Sequence, residues 1–218
     1  LIIRSHGVGK DIIKDLDQKK IRYINATCPK VTKIHKIVDE SSKKGNEIII
    51  AGNIEHPEVK GILGWSNTTS HVIKNIHELQ NLKIDKHKKY TLVSQTTFNK
   101  NIFEDIVEII MRKNYNNISI FNTICDATIK RQEACAAIAS SCDLTLIIGG
   151  KNSSNTKKLF EISKMFCDKC FHIENYKEIP YKHINKNTIV GVTAGASTPD
   201  WIIEEVIQNV RKFKLYNE

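Results

Sequence analysis

The chain reads as an α/β protein built on parallel sheets. Short β-branched and apolar runs, clearest at Glu47–Ala51, Tyr90–Ser94 and Leu144–Ile148, alternate with stretches whose apolar residues recur at helical spacing. One unit is repeated: a strand-like run over 22–27 ends in Cys28 and passes into a helical pattern, and 118–124 does the same into Cys125. The two cysteines lie 97 positions apart (125 − 28), about the length of a small domain. No linker or low-complexity segment separates the modules, so they are expected to pack tightly.

In order along the chain, residues 2–6 end a strand and lead through Gly7-Val8-Gly9 into a helix over 10–20. The strand over 22–27 follows, and Pro29 stands where helix starts favour it. Val31, Ile34, Ile37 and Val38 give that helix one apolar face, and Gly45 ends it. Glu47–Ala51 is a buried strand, and after His56-Pro57-Glu58 comes a short helix over 59–63. Strands at 71–73 and Tyr90–Ser94 precede a helix over 101–113. Beyond Cys125 the pattern restarts with a helix over 130–140, a strand at Leu144–Ile148 and a helix over 156–166. A weak strand at 171–173, a last strand over 188–192 and a closing helix over 200–212 complete the chain.

At 218 residues, with 26% charged and 40% hydrophobic content, the composition is that of an ordinary globular protein. No apolar run approaches the eighteen or so residues of a membrane span. The net charge of +9 raises nucleic acid as a partner. The lysines, however, are scattered among apolar residues with no arginine-rich block, so an acidic protein partner or an anionic small molecule fits better. Six cysteines in a chain of this size, with nothing that indicates secretion, are expected to be reduced thiols that can ligate metal rather than a disulfide scaffold.

Polar clusters fall at the strand-to-helix turns: His6, His56 with Glu58, Thr96 with Thr97, Ser153-Ser154-Asn155, and Ser197. Helix N-termini offer free N–H groups and partial positive charge, so such turns suit phosphate. Each cluster alone is an ordinary cap. Five of them around two strand-end cysteines point to a ligand instead. Glu58, in the first turn of its helix, can be a dipole-complementing carboxylate or a proton donor. His35, His71, His77, His87, His172 and His183 are expected on polar helix faces or loops, in structural roles. Cys167-x-x-Cys170 has a metal-like spacing but no second pair, and Cys135 and Cys142 look like small buried residues.

These residues also carry a resemblance. Arg4-Ser5-His6-Gly7-Val8, Ala26-Thr27-Cys28-Pro29, His56-Pro57-Glu58-Val59, Ser94-Gln95-Thr96-Thr97, Gly150-Lys151-Asn152-Ser153-Ser154-Asn155 and Thr193-Ala194-Gly195-Ala196-Ser197 run in family order. With Cys125 and Arg131-Gln132-Glu133-Ala134, they make the chain resemble the 4-hydroxy-3-methylbut-2-enyl diphosphate reductases, the LytB/IspH family.

The resemblance implies a pseudo-threefold trefoil of small α/β modules around a central 4Fe-4S cluster held by three cysteines. Cys28 and Cys125 would be two of its ligands, with the third expected upstream of Leu1. His6, His56, Thr96, Ser153, Ser154, Asn155 and Ser197 would bind the substrate, and Glu58 would donate a proton. The reaction implied is reductive dehydroxylation of an allylic diphosphate, with electrons from a ferredoxin- or flavodoxin-type donor. No nucleic acid or membrane is implied. The setting would be a bacterial cytoplasm or a plastid-type organelle such as an apicoplast. Residues 1–27 are read as the remnant of a first module, 28–123 as the second, 124–200 as the third and 201–218 as a C-terminal helix and tail. The rivals are an iron–sulfur dehydratase on a phosphorylated substrate, and a non-catalytic anion- or nucleic-acid-binding module.

Overall fold

The computed structural model describes residues 1–113 and 115–216, in two compact units, Leu1–Cys125 and Asp126–Glu218. The first unit opens with β1 (Ile2–Ile3), α1 (Lys10–Gln18) and β2 (Ile24–Asn25), where β1 and β2 form a two-stranded parallel pair. The strand expected over 22–27 is thus reduced to two residues. Both of these are exposed, so no buried face extends the pairing.

The main body of this unit comprises α2 (Pro29–Lys43), β3 (Glu47–Ala51), α3 (Pro57–Leu63), β4 (Ser70–Ile73), α4 (Ile76–Asn81), β5 (Tyr90–Ser94), α5 (Lys100–Arg112) and β6 (Ile118–Ile120). Its four strands form a parallel sheet in the order β4-β3-β5-β6. Ile48, Ile50 and Val93 pack against Ile34 and Val38 of α2 and Val59 and Ile62 of α3. Five consecutive buried residues in both β3 and β5 are what a parallel sheet covered on both faces requires. The helix α4 has no counterpart in the sequence reading. Asn75 caps it by accepting from the Glu78 N–H, and at six residues it is too short to show a periodic apolar face.

The second unit consists of α6 (Asp126–Ser140), β7 (Leu144–Ile148), α7 (Ser154–Lys164), β8 (Cys170–Ile173), two 3-10 turns (Tyr176–Glu178 and Tyr181–His183), β9 (Val190–Ala194) and α8 (Asp200–Tyr216). Its sheet is parallel in the order β8-β7-β9. The segment beyond residue 200 belongs to this unit, because Val206 and Val210 of α8 share a core with Leu144, Leu146, Ile148 and Ile173.

The repeat seen in the sequence is present in the backbone. Helices α2 and α6 have fifteen residues each, and both Pro29 to Asp126 and Glu47 to Leu144 span 97 positions. In both sheets the chain leaves the central strand to one side and returns on the other. The order therefore reverses between β3 and β5 in the first unit, and between β7 and β9 in the second. The carboxyl ends of strands at such reversals are where open α/β sheets bind ligands.

Candidate active site

At the reversal in the first unit, β3 and β5 end side by side, with Ala51 in register with Ser94. Gln95 ties the two loops together: its N–H donates to Ala51 O, and its side-chain carbonyl accepts from Asn53 N–H at 3.2 Å. The loop after β3 leads to His56, which caps α3, its Nδ1 accepting the Glu58 N–H at 3.2 Å. Pro57 at the first helical position cannot donate and leaves that bond to Glu58. The Glu58 side chain then turns into the protein, where it is 2% exposed. Its carboxylate accepts the Thr96 backbone N–H at 2.6 Å and the Thr96 hydroxyl at 2.7 Å.

This pair decides the chemistry of Glu58. Burial raises its pKa above the ordinary carboxylate range, and the two Thr96 hydrogen bonds only partly oppose that. A raised pKa favours the protonated form, the state in which a carboxyl can act as an acid.

His6 lies on the loop between β1 and α1, and its ring meets the His56 ring edge-on, centroids 5.3 Å apart. Both imidazoles are kept neutral. Burial, with His6 adding to it, lowers His56 to about 4, and burial with the Arg4 charge lowers His6. Neutral rings can donate one hydrogen bond and accept another.

Cys28 stands at the N-cap of α2 without a side-chain cap bond, and its N–H donates to Ser5 O at 3.0 Å, beside His6. Cys125 N–H donates to Thr96 O at 2.9 Å. Thr123 locks this second cysteine loop to β5. Its hydroxyl donates to Ser94 O at 2.6 Å, and Ser94 N–H donates back to Thr123 Oγ1 at 2.8 Å. Successive contacts thus join Cys28, Ser5, His6, His56, Glu58, Thr96 and Cys125, residues drawn from five separate stretches of sequence. Both thiols are partly exposed.

The remaining cysteines are placed differently. Cys135 and Cys170 sit in the core with Ile147 and Leu159, and Cys135 Sγ lies 2.9 Å from Ser163 Oγ. Burial raises both thiols, Cys170 to about 12, so neither is a thiolate. Cys167 is buried as well. Cys142, expected to be buried, is only partly so, with Sγ 3.1 Å from Thr145 Oγ1. Among the described residues, no three His, Cys, Asp or Glu side chains gather as a closed metal site.

At the reversal in the second unit, Ile148 is in register with Ala194, and the two following loops meet. Gly195 N–H and the Thr198 hydroxyl both donate to Ile148 O. A Cβ on Gly149 (φ +151°) or on Gly195 would lie 2.7 or 2.3 Å from Thr156 Oγ1, so only glycine lets the loops close on α7. Ser153 caps α7 by accepting the Thr156 N–H. Asn155 is buried, and its side-chain Nδ2 has no hydrogen-bond partner. Ser197 is exposed on the adjoining loop. A buried donor without a partner, beside a helix N-terminus and a serine-bearing loop, suits an anion.

Some contributors to this arrangement were not picked out in the sequence. Gln95 and Thr123 make the ties just described, and their polar character at strand ends was the only available sign. His35 corrects an expectation. It is 4% exposed rather than on a polar face, stacked on Trp65 with centroids 5.0 Å apart and planes 16° from parallel. Its neighbours Ile34 and Val38 mark that side of α2 as apolar, and the imidazole was misread against them.

The fold and site define a parallel-sheet α/β enzyme with a buried carboxylic acid, neutral histidines and two accessible thiols at its strand ends. Residues 1–211 match the family described as LytB protein. The chain is 44% identical to a protein of Caldanaerobacter subterraneus subsp. tengcongensis over 98% of its own length and 73% of the relative's. It is 46% identical to one of Alkaliphilus oremlandii over 96% and 75%. Both relatives are named 4-hydroxy-3-methylbut-2-enyl diphosphate reductase.

Among solved structures, the E-1-hydroxy-2-methyl-but-2-enyl-4-diphosphate reductase from Plasmodium falciparum matches with a TM-score of 0.88 at 30% identity. That match covers 95% of this chain and 66% of the other. A second structure matches with a TM-score of 0.61 at 37% identity, covering 97% and 75%. It is of (E)-4-hydroxy-3-methyl-but-2-enyl diphosphate reductase, described as the terminal enzyme of the non-mevalonate pathway. The chain belongs to the LytB family.

Proposed function

We propose that this chain acts as a 4-hydroxy-3-methylbut-2-enyl diphosphate reductase, removing the allylic hydroxyl to give isopentenyl and dimethylallyl diphosphates. The observation that carries the reading is the buried Glu58, its pKa raised by burial and its carboxylate fixed by Thr96 between the loops of His56 and Cys125. The overall change takes up two electrons and two protons: the hydroxyl leaves as water, and carbon gains a hydrogen. The electrons come from outside the chain, from a donor of the ferredoxin or flavodoxin type.

The family implies a 4Fe-4S cluster. Cys28 and Cys125 fit it as soft thiol donors, being partly exposed where the other candidates are buried or hydrogen-bonded. They would supply two of its ligands. When bound, such a cluster supplies a Lewis-acidic iron and single electrons.

The remaining work falls to this chain's own groups. Glu58 delivers a proton from a carboxyl whose pKa burial raises, and Thr96 holds that carboxyl in one orientation. Neutral His6 and His56 donate hydrogen bonds to the oxygens of the substrate. In the second unit, Ser153, Ser154, Asn155 and Ser197 bind the diphosphate, with the unpartnered Asn155 amide as a donor. The setting proposed is a bacterial cytoplasm or, in a eukaryote, a plastid-type organelle.

The test is turnover by protein purified without oxygen, with a reduced low-potential dye as donor and the products identified by mass spectrometry. Formation of both five-carbon diphosphates only when the dye is reduced is the expected result. Water loss without reductant would make the enzyme a dehydratase instead. No consumption of substrate by iron-loaded protein would overturn the assignment.

A further inference from the structure

His35 has no part in the chemistry above, yet it sits under the loop that carries His6. Its Nε2 is buried without a hydrogen-bond partner, an arrangement that native proteins rarely keep without reason. Nothing charged compensates it. Burial alone lowers its pKa to about 4, so the ring is neutral.

The loop lies in a slot. Gly7 turns at φ +69° with its N–H donating to Arg4 O. A Cβ on Gly7 would fall 2.6 Å from His35 Cε1 and 3.0 Å from Thr27 Cγ2, so the backbone rests directly on the imidazole. From the other side, a Cβ on Gly61 of α3 would stand 3.5 Å from His6 O and from Gly7 O. The next residues are held by Trp65, whose indole N–H donates to Val8 O at 2.9 Å and whose ring stacks on His35. Lys10 N–H then donates to Gly64 O. The two stacked rings form one wall of the slot, with His35 under Gly7 and Trp65 tied to Val8.

We propose that His35 is a positioning residue, a wedge that with Trp65 sets the height of the His6 loop and so holds the His6 ring edge-on to His56. Its consequence for catalysis rests on the reductase reading given above. The geometric claim does not. A five-membered ring fills the space beneath a glycine backbone, and the unpartnered nitrogen is the cost of using that shape.

The test is a cycle of His35→Ala, Gly7→Ala and the double variant in the active enzyme, with two readouts. The first needs no substrate: proton shifts of the His6 and His56 rings in histidine-labelled protein, where the edge-on contact displaces them by ring current. His35→Ala should move both toward free-imidazole values. Gly7→Ala should displace the loop the other way, and the double variant should lie nearer to wild type than Gly7→Ala does.

The second readout is kinetic. His35→Ala should lower kcat/KM about 100-fold, the effect of misplacing a group by about 1 Å. The loss should fall mainly on KM, and the double variant should lose less than the product of the two single losses. If His35→Ala does not fold, His35→Val, which still leaves much of the ring's space empty, replaces it. Unchanged ring shifts in a folded variant, or single losses that multiply, would overturn the proposal. A wild-type protein that never turns over would sink the reductase reading and leave the ring-shift result standing.

Discussion

Glu58 and Thr96 are bonded twice: backbone N–H and hydroxyl of the threonine reach the two oxygens of one carboxylate, at 2.6 and 2.7 Å. Glu58→Gln keeps the size and one acceptor of that pair but has no acidic proton. Turnover should fall by about 10²- to 10⁴-fold, the usual contribution of a general acid. The dissociation constant of the substrate should change little. Steady-state kinetics beside calorimetric binding measure the two, and a wild-type rate would remove Glu58 from the reaction.

Thr96→Val tests the same pair from the other partner. Losing the hydroxyl removes a bond that favours the ionised form, so the already raised pKa of Glu58 rises further. If Glu58 is the proton donor proposed, its protonated form is the active one. The alkaline limb of the kcat profile should therefore move to higher pH in the variant, and a shift to lower pH would contradict the assignment.

Replacing Cys28 or Cys125 by serine should abolish retention of iron, since a hard hydroxyl substitutes poorly for thiolate. Serine at Cys135 or Cys170 should leave iron content intact and lower the melting temperature, because each puts a hydroxyl into an apolar core with Ile147 and Leu159. Iron per chain and thermal unfolding separate the two groups. Iron loss at Cys170 with unchanged iron at Cys125 would reverse the ligand assignment.

Stability should depend on pH through His35. Its folded pKa, about 4, lies below the unfolded value of 6.5, so the unfolded chain binds more protons between them. The contribution is complete above 6.5 and is lost as pH falls toward 4, with about 2 kcal/mol gone by about pH 5. His56 acts in the same direction and Glu58 in the opposite one, losing stability as pH rises from 4.5 through its raised value. Urea unfolding at about pH 7 and pH 5 should show a smaller difference for His35→Leu than for wild type. An equal difference would mean that His35 is not held neutral by the fold.

The central strands were legible because both faces of β3, β5 and β7 are buried, and runs dominated by β-branched and apolar residues satisfy that. Helix α2 was legible from Pro29, its apolar spacing and Gly45 (φ +85°) just beyond its end. The edge of the fold was not. At β2 two exposed residues pair where six were expected, because β-branched composition does not reveal whether a partner is present. Within the site, residue types at turns pointed to Glu58, His56 and Thr96. Their mutual bonding depends on β3 and β5 being neighbours, which no local pattern encodes. His35 was misplaced for a related reason: a polar side chain on an apolar face becomes intelligible only once Trp65, thirty positions later, is found against it.

Because both sheets are parallel, the strands of the first unit's main sheet begin at the end away from the chemistry. The lysine-rich turn before β5, with Lys86 and His87 exposed, and the turn at Gly45, where an added Cβ would meet nothing within 4 Å, both lie there. The turn before β5 is closed at its base by Asp85 N–H donating to the Tyr90 hydroxyl, and by the Asn117 amide donating to Asp85 O. These turns are accordingly handles for the protein engineer. A fluorophore, an affinity tag or a surface tether placed at either would leave the opposite rim untouched.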